Sequence, residues 1–403
     1  MRVCLIARRF YESNTHMQQF AKALVSRGDI VDVIAARRHG LPRFEVCDGV
    51  NVYRIQTRNV DERGRPIFLL KILLFMLRAT IVVTVRHIKR PYDIIHVQPI
   101  PDLLVFSALC PKLMGAPVIL DLRDLVPELL ESKFHVARGS FLVKILRLSE
   151  KLSASFADHV IVANPIWYER VVGRSAIRAK CSMIWYSPDP TVFHGRSGLQ
   201  SNGRFVIMYP GSLSWHQGVD ILIRAFPRIK EAIPQAEVRI YAEGTARKSL
   251  EDLAGKLGLG KAVQFFDIVP TEVLVDRMAN CDVAIVPKRA SDPFGNEAAS
   301  TKIPEFMAVG VPVVASRTEI ESRFFDDSEI CYFRSEDEMD LVRAVVSVYS
   351  DPELAARLSA NAAEKIRHGA QGLRQQYLAL VDSLVAQKSG RVHQQEIPPR
   401  TVR

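Results

Sequence analysis

Apolar and polar positions alternate in blocks along the chain, and the blocks predict strands and helices in turn. Short, strongly apolar runs of strand length occupy 2–7, 30–36, 93–98, 117–122 and 159–164. Segments with the helical spacing of apolar residues lie between these runs. Because strands that are joined by helices usually pair in parallel, the first half of the chain predicts an α/β domain with a parallel sheet.

A second series of the same kind follows a polar, Gly- and Ser-rich stretch at 194–204, which we interpret as an interdomain linker. Its strands are predicted at 205–211, 236–244, 262–267, 281–287 and 311–316. The pattern therefore predicts two Rossmann-like, doubly wound domains that face each other across a cleft. The predicted boundaries are 1–190 for the first domain, 200–371 for the second, a helix at 372–388 that packs back on the first domain, and a loose tail at 389–403.

The segment 66–90 combines an apolar run of helical length with Lys71 and Arg78 inside it and a basic cluster at its end. A central Lys or Arg costs a spanning helix about 2.5 to 3.5 kcal/mol on insertion scales. We therefore expect either a helix that dips into an anionic membrane surface or a core helix with a solvated edge. The formal charge of +10 suits anionic lipid or phosphate-bearing molecules. No nucleic-acid motif is present in the sequence, and no nucleic-acid partner is expected.

The cysteine and histidine patterns do not predict a metal site. The six cysteines are scattered without a CxxC pair, and the ten histidines form no HExxH motif. We expect reduced thiols and no metal. The N-terminus has no secretory pattern, so we expect a cytoplasmic protein that contacts the inner face of the plasma membrane if 66–90 binds lipid.

The segment that follows the strand at 281–287 carries the clearest chemistry. It reads KRASDPFGNEAASTKIPEFMAVGVPVVAS, and seven residues separate Glu297 from Glu305. A loop that ends at 296–300 ahead of a helix presents free backbone N–H groups, which suit a diphosphate, and a carboxylate one or two turns later can accept ribose hydroxyls. The simpler alternative is that Glu297 and Glu305 are both solvated surface carboxylates. The glycine-containing loop before the pair and the apolar strand after it disfavour this alternative.

This spacing and its surroundings resemble the retaining glycosyltransferases of family 4, two-domain enzymes of the GT-B fold, and in particular a bacterial branch that acts in polysaccharide assembly. The resemblance implies that Glu297 is catalytic and contacts hydroxyls of the transferred sugar, and that Glu305 holds the ribose. It also assigns the diphosphate to the loop residues Asn296, Ala298, Ala299, Ser300 and Thr301.

The same resemblance implies a reaction and its participants. A hexose would pass with retention, and without metal or cofactor, from a UDP- or GDP-sugar to a glycan or lipid-linked acceptor, in cell-surface or exopolysaccharide assembly. The nucleobase of the donor stays undetermined, because contacts from main-chain groups do not depend on the identity of the side chains. By the same resemblance, the segments YAEGTARKSL and FFDIVP place Glu243, Gly244 and Ile268 beside the nucleotide.

The turn YPGSLSWHQGV resembles the first motif of the family's donor domain but lacks its two cations. Gly211 and Gly218 match, whereas Ser212 and Gln217 stand where the family has Arg and Lys. Another cation must then neutralise the leaving diphosphate, and Lys302 is the first candidate. A solvated helix lysine is the alternative interpretation of Lys302, and the other candidate substitutes are Lys288, Arg289 and His216.

On the acceptor side, the family branch usually has His between two aspartates, and this chain has Arg123 between Asp121 and Asp124. Arginine cannot accept a proton at neutral pH, so we expect Arg123 to clamp a phosphate instead. The two aspartates are either cleft residues or helix caps. His16 is either a contact for the sugar or acceptor or a simple loop histidine.

Two other functions stay open. One is a GT-B sugar-nucleotide epimerase, although no acid-base cluster for it is recognisable in the sequence. The other is a non-catalytic GT-B protein that binds a nucleotide or glycan, which the missing Arg and Lys favour. Turnover of the donor would separate an enzyme from a binding protein.

Overall fold

The computed structural model describes residues 1–58, 65–99, 101–134, 136–137, 139–195, 203–388 and 390. The strands of the first domain are β1 Arg2–Phe10, β2 Ile30–Arg37, β3 Phe44–Cys47, β4 Val50–Thr57, β5 Ile94–Gln98, β6 Val118–Leu122, β7 His159–Val162 and β8 Cys181–Met183. Those of the second are β9 Phe205–Ser212, β10 Ala236–Glu243, β11 Val263–Phe266, β12 Val283–Val286, β13 Val313–Ser316 and β14 Cys331–Phe333. Apart from residue 390, the predicted tail at 389–403 lies outside the described residues.

The helices lie between these strands in chain order. In the first half they are α1 Thr15–Val25, α2 Arg65–Lys89, α3 Leu109–Leu113, α4 Val126–Phe134, α5 Phe141–Phe156 and α6 Pro165–Arg174. In the second half they are α7 Val219–Ala232, α8 Arg247–Lys256, α9 Thr271–Ala279, α10 Pro293–Glu297, α11 Lys302–Ala308, α12 Glu319–Phe324, α13 Glu338–Ser350 and α14 Pro352–Lys388.

Each half forms one sheet that is wound outward in both directions from its first strand. The first sheet has the order β3-β4-β2-β1-β5-β6-β7-β8, and the second has the order β11-β10-β9-β12-β13-β14. All pairs are parallel except β3 with β4. The predicted fold of two doubly wound α/β domains is confirmed, and the reversals of strand order beside β1 and β9 are where such sheets usually bind ligands.

Two details of the first domain differ from the expected alternation. Strand β3 forms a hairpin with β4 through Asp48 and Gly49, whose φ angles of 49° and 79° suit a tight hairpin turn. Between β5 and β6, where the pattern predicts a helix, the chain instead forms a 3-10 segment, Asp102–Ala108, followed by α3. Pro111 has no N–H to donate to the carbonyl of Ser107, so it suits the first turn of α3 and disfavours one continuous α-helix across both segments.

The long helix α14 joins the two domains. Its first half packs on the second domain through Leu358, Ala362 and Ile366. Its second half packs on the first domain, where the ring of Tyr377 stacks on Phe20 with centroids 4.1 Å apart. The chain therefore crosses back, and α1 and α14 cover one face of the first sheet while α2, α5 and α6 cover the other.

Candidate active site

The turn after β9 is held against the end of β12 by glycine geometry. Gly218 has a φ of 65°, and a Cβ at this position would lie 1.9 Å from the carbonyl oxygen of Pro287. Gly295 of α10, on the facing segment, is also crowded, since its Cβ would lie 3.2 Å from the carbonyl oxygen of His216 on the turn and 2.3 Å from that of Arg289. The two loops therefore need glycine to approach each other, whatever ligand they bind.

Lys302, the first residue of α11, reaches across to this turn. Its Nζ donates to Oε1 of Gln217 at 3.0 Å and lies 5.2 Å from the centre of the Tyr209 ring. A side chain at Gly211 would collide with it, because a Cβ there would lie 2.5 Å from Lys302 Cε. Burial, with a smaller effect from the positive charge of Lys288, lowers the pKa of Lys302 to about 8. The structure thus places this lysine over the turn that lacks the family's cations.

The other candidate cations are occupied inside the second domain. Lys288 is almost fully buried and pairs with Glu321 at 2.9 Å. Arg289 pairs with Asp220 at 2.6 Å and with Glu336 at 3.0 Å, and its guanidinium stacks on the Trp215 ring at 3.6 Å. Because a buried cation that is already paired gains little from a second anion, we interpret both as structural. His216 is also buried, and its ring packs edge-on against Phe294 at 5.3 Å.

The backbone between the two glutamates is only partly available for a diphosphate. The N–H of Ala298 donates to the carbonyl of Phe294 at 2.8 Å, and the N–H of Ser300 donates to the carboxylate of Glu321 at 3.0 Å. Two of the four residues from Ala298 to Thr301 thus use their amides within the fold, which corrects the expectation of a fully free run. The Oδ1 of Asn296 accepts from the N–H of Glu319 at 2.8 Å, so this side chain anchors α12.

Glu297 is held by the first domain. Nη1 and Nη2 of Arg170 donate to its carboxylate, at 2.5 and 2.7 Å, and Asn164 Nδ2 donates to its backbone carbonyl at 3.1 Å. The neighbouring Ser132 Oγ donates to Asp292 at 2.8 Å. These contacts join the domains at the loop that carries Glu297. Sequence analysis missed all three partners, since each lies more than a hundred residues away from the loop residue it contacts.

Glu305 is also contacted from the first domain. The hydroxyl of Tyr186 donates to its Oε1 at 3.0 Å. Burial raises the pKa of Glu305 to about 7, against the opposing effects of the Tyr186 hydrogen bond and the charge of Lys302. Glu305 therefore titrates near neutral pH, one turn along α11 from Lys302.

The remaining residues that were assigned to the donor side lie at the carboxyl ends of β9, β10 and β11. Ser212 ends β9 and accepts a hydrogen bond on its carbonyl from the hydroxyl of Tyr209 at 2.8 Å. Glu243 ends β10 with an exposed side chain, and Gly244 follows with a φ of 156°. Ile268 follows β11 and is 62% exposed. All lie at the edge of the sheet where a nucleotide is expected, and their roles stay predictions.

Asp121 forms the centre of a buried polar network on the first domain. It is fully buried, its Oδ1 lies 2.7 Å from Nε of Arg123, and its Oδ2 lies 3.3 Å from Nε2 of His96. Gln98 donates to it at 3.3 Å and accepts from Asn14 at 2.6 Å. Burial alone would raise the pKa of Asp121, but the charge of Arg123 and the hydrogen bond from His96 reverse this effect and hold the pKa well below its usual value.

Arg123 joins this network to the cleft. Its Nη1 lies 2.8 Å from Nε2 of His16 and donates to the carbonyl of Ile184 at 3.2 Å. Burial and the Arg123 charge lower the pKa of His16, so the ring is neutral at neutral pH. Asp124 lies outside the network, where its side chain is partly exposed and pairs with Arg9 at 3.4 Å. The structure therefore brings His16, Asp121 and Arg123 together and leaves Asp124 apart.

Within the described ranges, no three His, Cys, Asp or Glu side chains are grouped in a way that could hold a metal ion. The polar side chains at the cleft are instead arranged as hydrogen-bond acceptors and cations on two facing walls. Glu297 and Glu305 stand on the second domain with Lys302, and Arg170 and Tyr186 of the first domain contact the two glutamates. Such an arrangement suits a polyhydroxylated and phosphorylated ligand.

Two family matches together span most of the chain. Residues 13–185 match the family described as "Glycosyl transferase 4-like domain", and residues 194–365 match "Glycosyl transferases group 1". An uncharacterized glycosyltransferase of Methanocaldococcus jannaschii is 27% identical over 321 residues, which cover 75% of each chain. A GDP-mannose-dependent alpha-(1-6)-phosphatidylinositol monomannoside mannosyltransferase of Mycolicibacterium smegmatis is 31% identical over 137 residues, 33% of this chain and 35% of that enzyme.

Solved structures show the same fold over almost the whole length. The sucrose-phosphate synthase of Thermosynechococcus elongatus superposes with a TM-score of 0.78 at 18% identity and covers 96% of this chain and 100% of its own. HepE of Anabaena, in complex with UDP and glucose, superposes with a TM-score of 0.70 at 16% identity and covers 95% of this chain and 100% of its own. The family resemblance is thereby confirmed: the chain belongs to the family 4-like glycosyltransferases of the GT-B fold.

Proposed function

We propose that this glycosyltransferase moves a hexose from a nucleotide-diphosphate sugar, held on the second domain, to an acceptor on the first domain, with retention of configuration. The observation that carries the proposal is the position of Lys302. It stands between the two glutamates in sequence and over Gly211 and Gln217 in space. A cation is therefore present beside the turn where the family has its Arg and Lys.

The donor is assigned to side chains on α10 and α11. Lys302 faces the diphosphate, and a pKa of about 8 leaves it mostly protonated at neutral pH. The carboxylate of Glu305 accepts the ribose hydroxyls, and Glu297 accepts hydroxyls of the transferred sugar. Binding of UDP and glucose by the similarly folded HepE supports a nucleotide sugar as donor. UDP and GDP donors both fit these contacts.

Transfer takes place on one face of the sugar. The acceptor oxygen forms a bond to the anomeric carbon as the bond to the diphosphate oxygen breaks, and the departing phosphate takes the acceptor proton. The protein positions the reactants and stabilises charge. Arg170 holds Glu297 in a bidentate ion pair, and Tyr186 donates to Glu305. Both carboxylates are thus oriented as hydrogen-bond acceptors, which supports their role in binding hydroxyls.

We further propose that the acceptor is a lipid-linked glycan at the inner face of the plasma membrane, within cell-surface polysaccharide or glycolipid assembly. The formal charge of +10 and the exposed apolar side of α2 support this assignment. A relative named as a phosphatidylinositol monomannoside mannosyltransferase also supports it. Arg123, which projects from the buried network toward His16, is the cation on the acceptor side that suits a phosphate.

A non-catalytic nucleotide-binding protein is the second candidate, because Ser212 and Gln217 replace the family's cations. The contact between Lys302 and Gln217 weakens that candidate, since the missing charge is supplied from another element. A sugar-nucleotide epimerase stays the third candidate. It differs from a transferase in that its product is the epimeric nucleotide sugar, so it needs no acceptor and gives no net release of nucleoside diphosphate.

The test begins with thermal stabilisation of the protein by a panel of UDP- and GDP-sugars, which identifies the donor class. Release of nucleoside diphosphate is then measured with and without a membrane lipid extract as the source of acceptor. We expect release that depends on the extract and disappears in Glu297→Ala. The matched control is Glu251→Ala, which removes a glutamate that pairs with Arg247 on the surface of α8. Full activity of Glu297→Ala, or tight binding without turnover, would overturn the proposal.

A further inference from the structure

One outer face of the first domain exposes an unusual number of large apolar side chains. On α2 the exposed residues include Leu69, Leu73, Leu77, Ile81, Val85 and Ile88. On α5 they are Phe141, Leu142, Ile145, Leu148 and Leu152, and around α3 they are Leu103, Leu109, Leu113 and Met114. We call this set the apolar face. Contiguous apolar patches of this extent are rare on soluble monomers and usually mark a binding surface.

The three elements lie side by side on the same face of the first sheet. Their inward residues share one core, which includes Phe75 and Ala79 of α2, Val105 of the 3-10 segment and Ala154 of α5. The rings of Phe106 and Phe156, with centroids 4.8 Å apart, join the 3-10 segment to α5. The outward residues of α2 and α5 therefore point away from the same sheet, on either side of the 3-10 segment.

The charges that the three helices expose are mainly basic. Helices α2 and α3 contain no Asp or Glu, and the single acidic residue of α5, Glu150, is fully buried and pairs with Arg174. The cations on α5 include Lys144 and Lys151, both exposed, and Arg78 and Lys89 are exposed on α2. An exposed acidic residue, Asp158, follows α5 and pairs with Lys112 of α3 at 2.6 Å. A face that is apolar and predominantly basic is complementary to an anionic lipid surface.

The same charges disfavour a second copy of this chain as the occupant. In a two-fold contact the same patch meets itself, so Lys144 and Lys151 would face cations of the other copy with no exposed acidic residue of these three helices to pair with. A bilayer with anionic lipids provides both the apolar environment and the opposite charge. The observations thus favour lipid.

The helix α2 lies on the domain and does not cross a membrane in this fold. Within the described residues, the stretch Phe68–Lys89 is the one that is long and apolar enough to span a bilayer. Its inward stripe of Phe75, Ala79 and Val83 is fully buried against the sheet, so lipid cannot surround the helix. A parallel orientation, with the outward side in the interface, uses both faces of α2.

The direction of the helices relates the apolar face to the cleft. A helix between two parallel strands runs opposite to them, so α2 and α5 begin at the sheet edge where Gln98 and Asp121 lie, at the carboxyl ends of β5 and β6. Helix α4, which leads into α5, contacts the loop of Glu297 through Ser132 and Asp292. The N-terminal ends of both helices therefore lie beside the entrance to the cleft.

We propose that α2, α3 and α5 together form a peripheral docking surface for an anionic bilayer, which places the cleft entrance at the membrane. Helix α5 is the new element, since the sequence indicated only the segment 66–90. The docking itself is independent of catalysis. The consequence, that an acceptor carried by a lipid enters beside the N-termini of α2 and α5, rests on the proposed function.

The test is sedimentation of the full chain with vesicles of phosphatidylcholine, alone or mixed with phosphatidylglycerol. We expect binding to the mixed vesicles at low salt and weaker binding at high salt. The double variant Leu148→Ser and Leu152→Ser should lower the partition coefficient by about tenfold or more, because two leucine side chains leave the interface. The matched control, Leu257→Ser with Met339→Ser, changes exposed apolar residues of the second domain and should bind like the unaltered chain.

Equal loss of binding in both double variants, or no binding to mixed vesicles, would overturn the proposal. A dimer in sedimentation equilibrium that dissociates in the α5 double variant would also overturn the proposal, because the apolar face would then be a contact between two copies of the chain. Glu297→Ala should bind vesicles normally. A failure of docking is thereby distinguished from a failure of the proposed reaction, which is measured by donor turnover.

Discussion

The clearest quantitative consequence of the site concerns its dependence on pH. In the proposed function Glu305 accepts ribose hydroxyls as a carboxylate, and its pKa is raised to about 7, so this form is lost as the pH falls through 7. In the same proposal Lys302 faces the diphosphate as an ammonium, and its pKa is lowered to about 8, so this form is lost as the pH rises through 8. The competent form of the free enzyme therefore occupies a narrow window between the two values.

The width of this window follows from the two pKa values. At pH 7.5 each group is about 76% in the required form, so about 58% of the free enzyme is competent. At pH 6 and at pH 9 the competent fraction falls to about 9%. At pH 6 about ten elevenths of Glu305 is protonated, and at pH 9 about ten elevenths of Lys302 is deprotonated. We expect kcat/KM for the donor to be about sixfold lower at pH 6 and at pH 9 than at pH 7.5.

The assay is nucleoside diphosphate release at donor concentrations well below KM, since kcat/KM reports the groups of the free enzyme. Two variants assign the limbs of the profile. Glu305→Gln should abolish the acidic limb and keep the alkaline one, and Lys302→Met should do the reverse at lower overall activity. A profile that is flat from pH 6 to 9, or an acidic limb that persists in Glu305→Gln, would refute the assignment of these groups.

Two further substitutions test the geometry around the site. Arg170→Gln should lower donor turnover by about tenfold or more, because Glu297 loses its bidentate partner. The control Arg178→Gln, which removes an exposed arginine paired with Glu169, should leave turnover unchanged. Equal effects of the two substitutions would contradict the positioning role of Arg170. Gly218→Ala should cost at least about 2 kcal/mol of unfolding free energy by urea denaturation, since its Cβ meets the Pro287 carbonyl oxygen at 1.9 Å. Gly258→Ala, which has a similar φ of 67° and open space, should cost only about 1 kcal/mol, and a similar loss in both would show that the close approach is unimportant.

Much of the fold follows from local patterns in the sequence. The apolar runs that predict strands coincide with β1, β2, β5, β6, β7 and β9 to β13, because buried parallel strands are apolar throughout. The hairpin of β3 was missed although Asp48 and Gly49 carry its local signal. The early start of α14, at Pro352, was also missed, since its first half is alanine-rich and lacks a strong apolar stripe.

The site was predictable only where its residues are close in sequence. Glu297, Lys302 and Glu305 share one loop and helix, so their common location could be inferred from spacing. Arg170 lies 127 residues from Glu297, and Tyr186 lies 119 residues from Glu305. No periodicity links such positions, because the contact arises when two separately folded domains meet. Neither the tyrosine that follows β8 nor the arginine on α6 has a local sequence signal of this role.

The contact between Lys302 and Gln217 supports the proposal that Lys302 replaces the family's cations. Gln217 offers a neutral amide oxygen at 3.0 Å, which orients the ammonium of Lys302 without cancelling its charge. The family resemblance would place a lysine at 217, and its ammonium would occupy the same space as that of Lys302. The second positive charge would lower the pKa of Lys302 further, in addition to the lowering that burial already causes. Gln217 and Lys302 are therefore complementary, with the positive charge moved from the turn after β9 to the first residue of α11. The charge remains beside Gly211, where the absence of a side chain leaves room for the lysine.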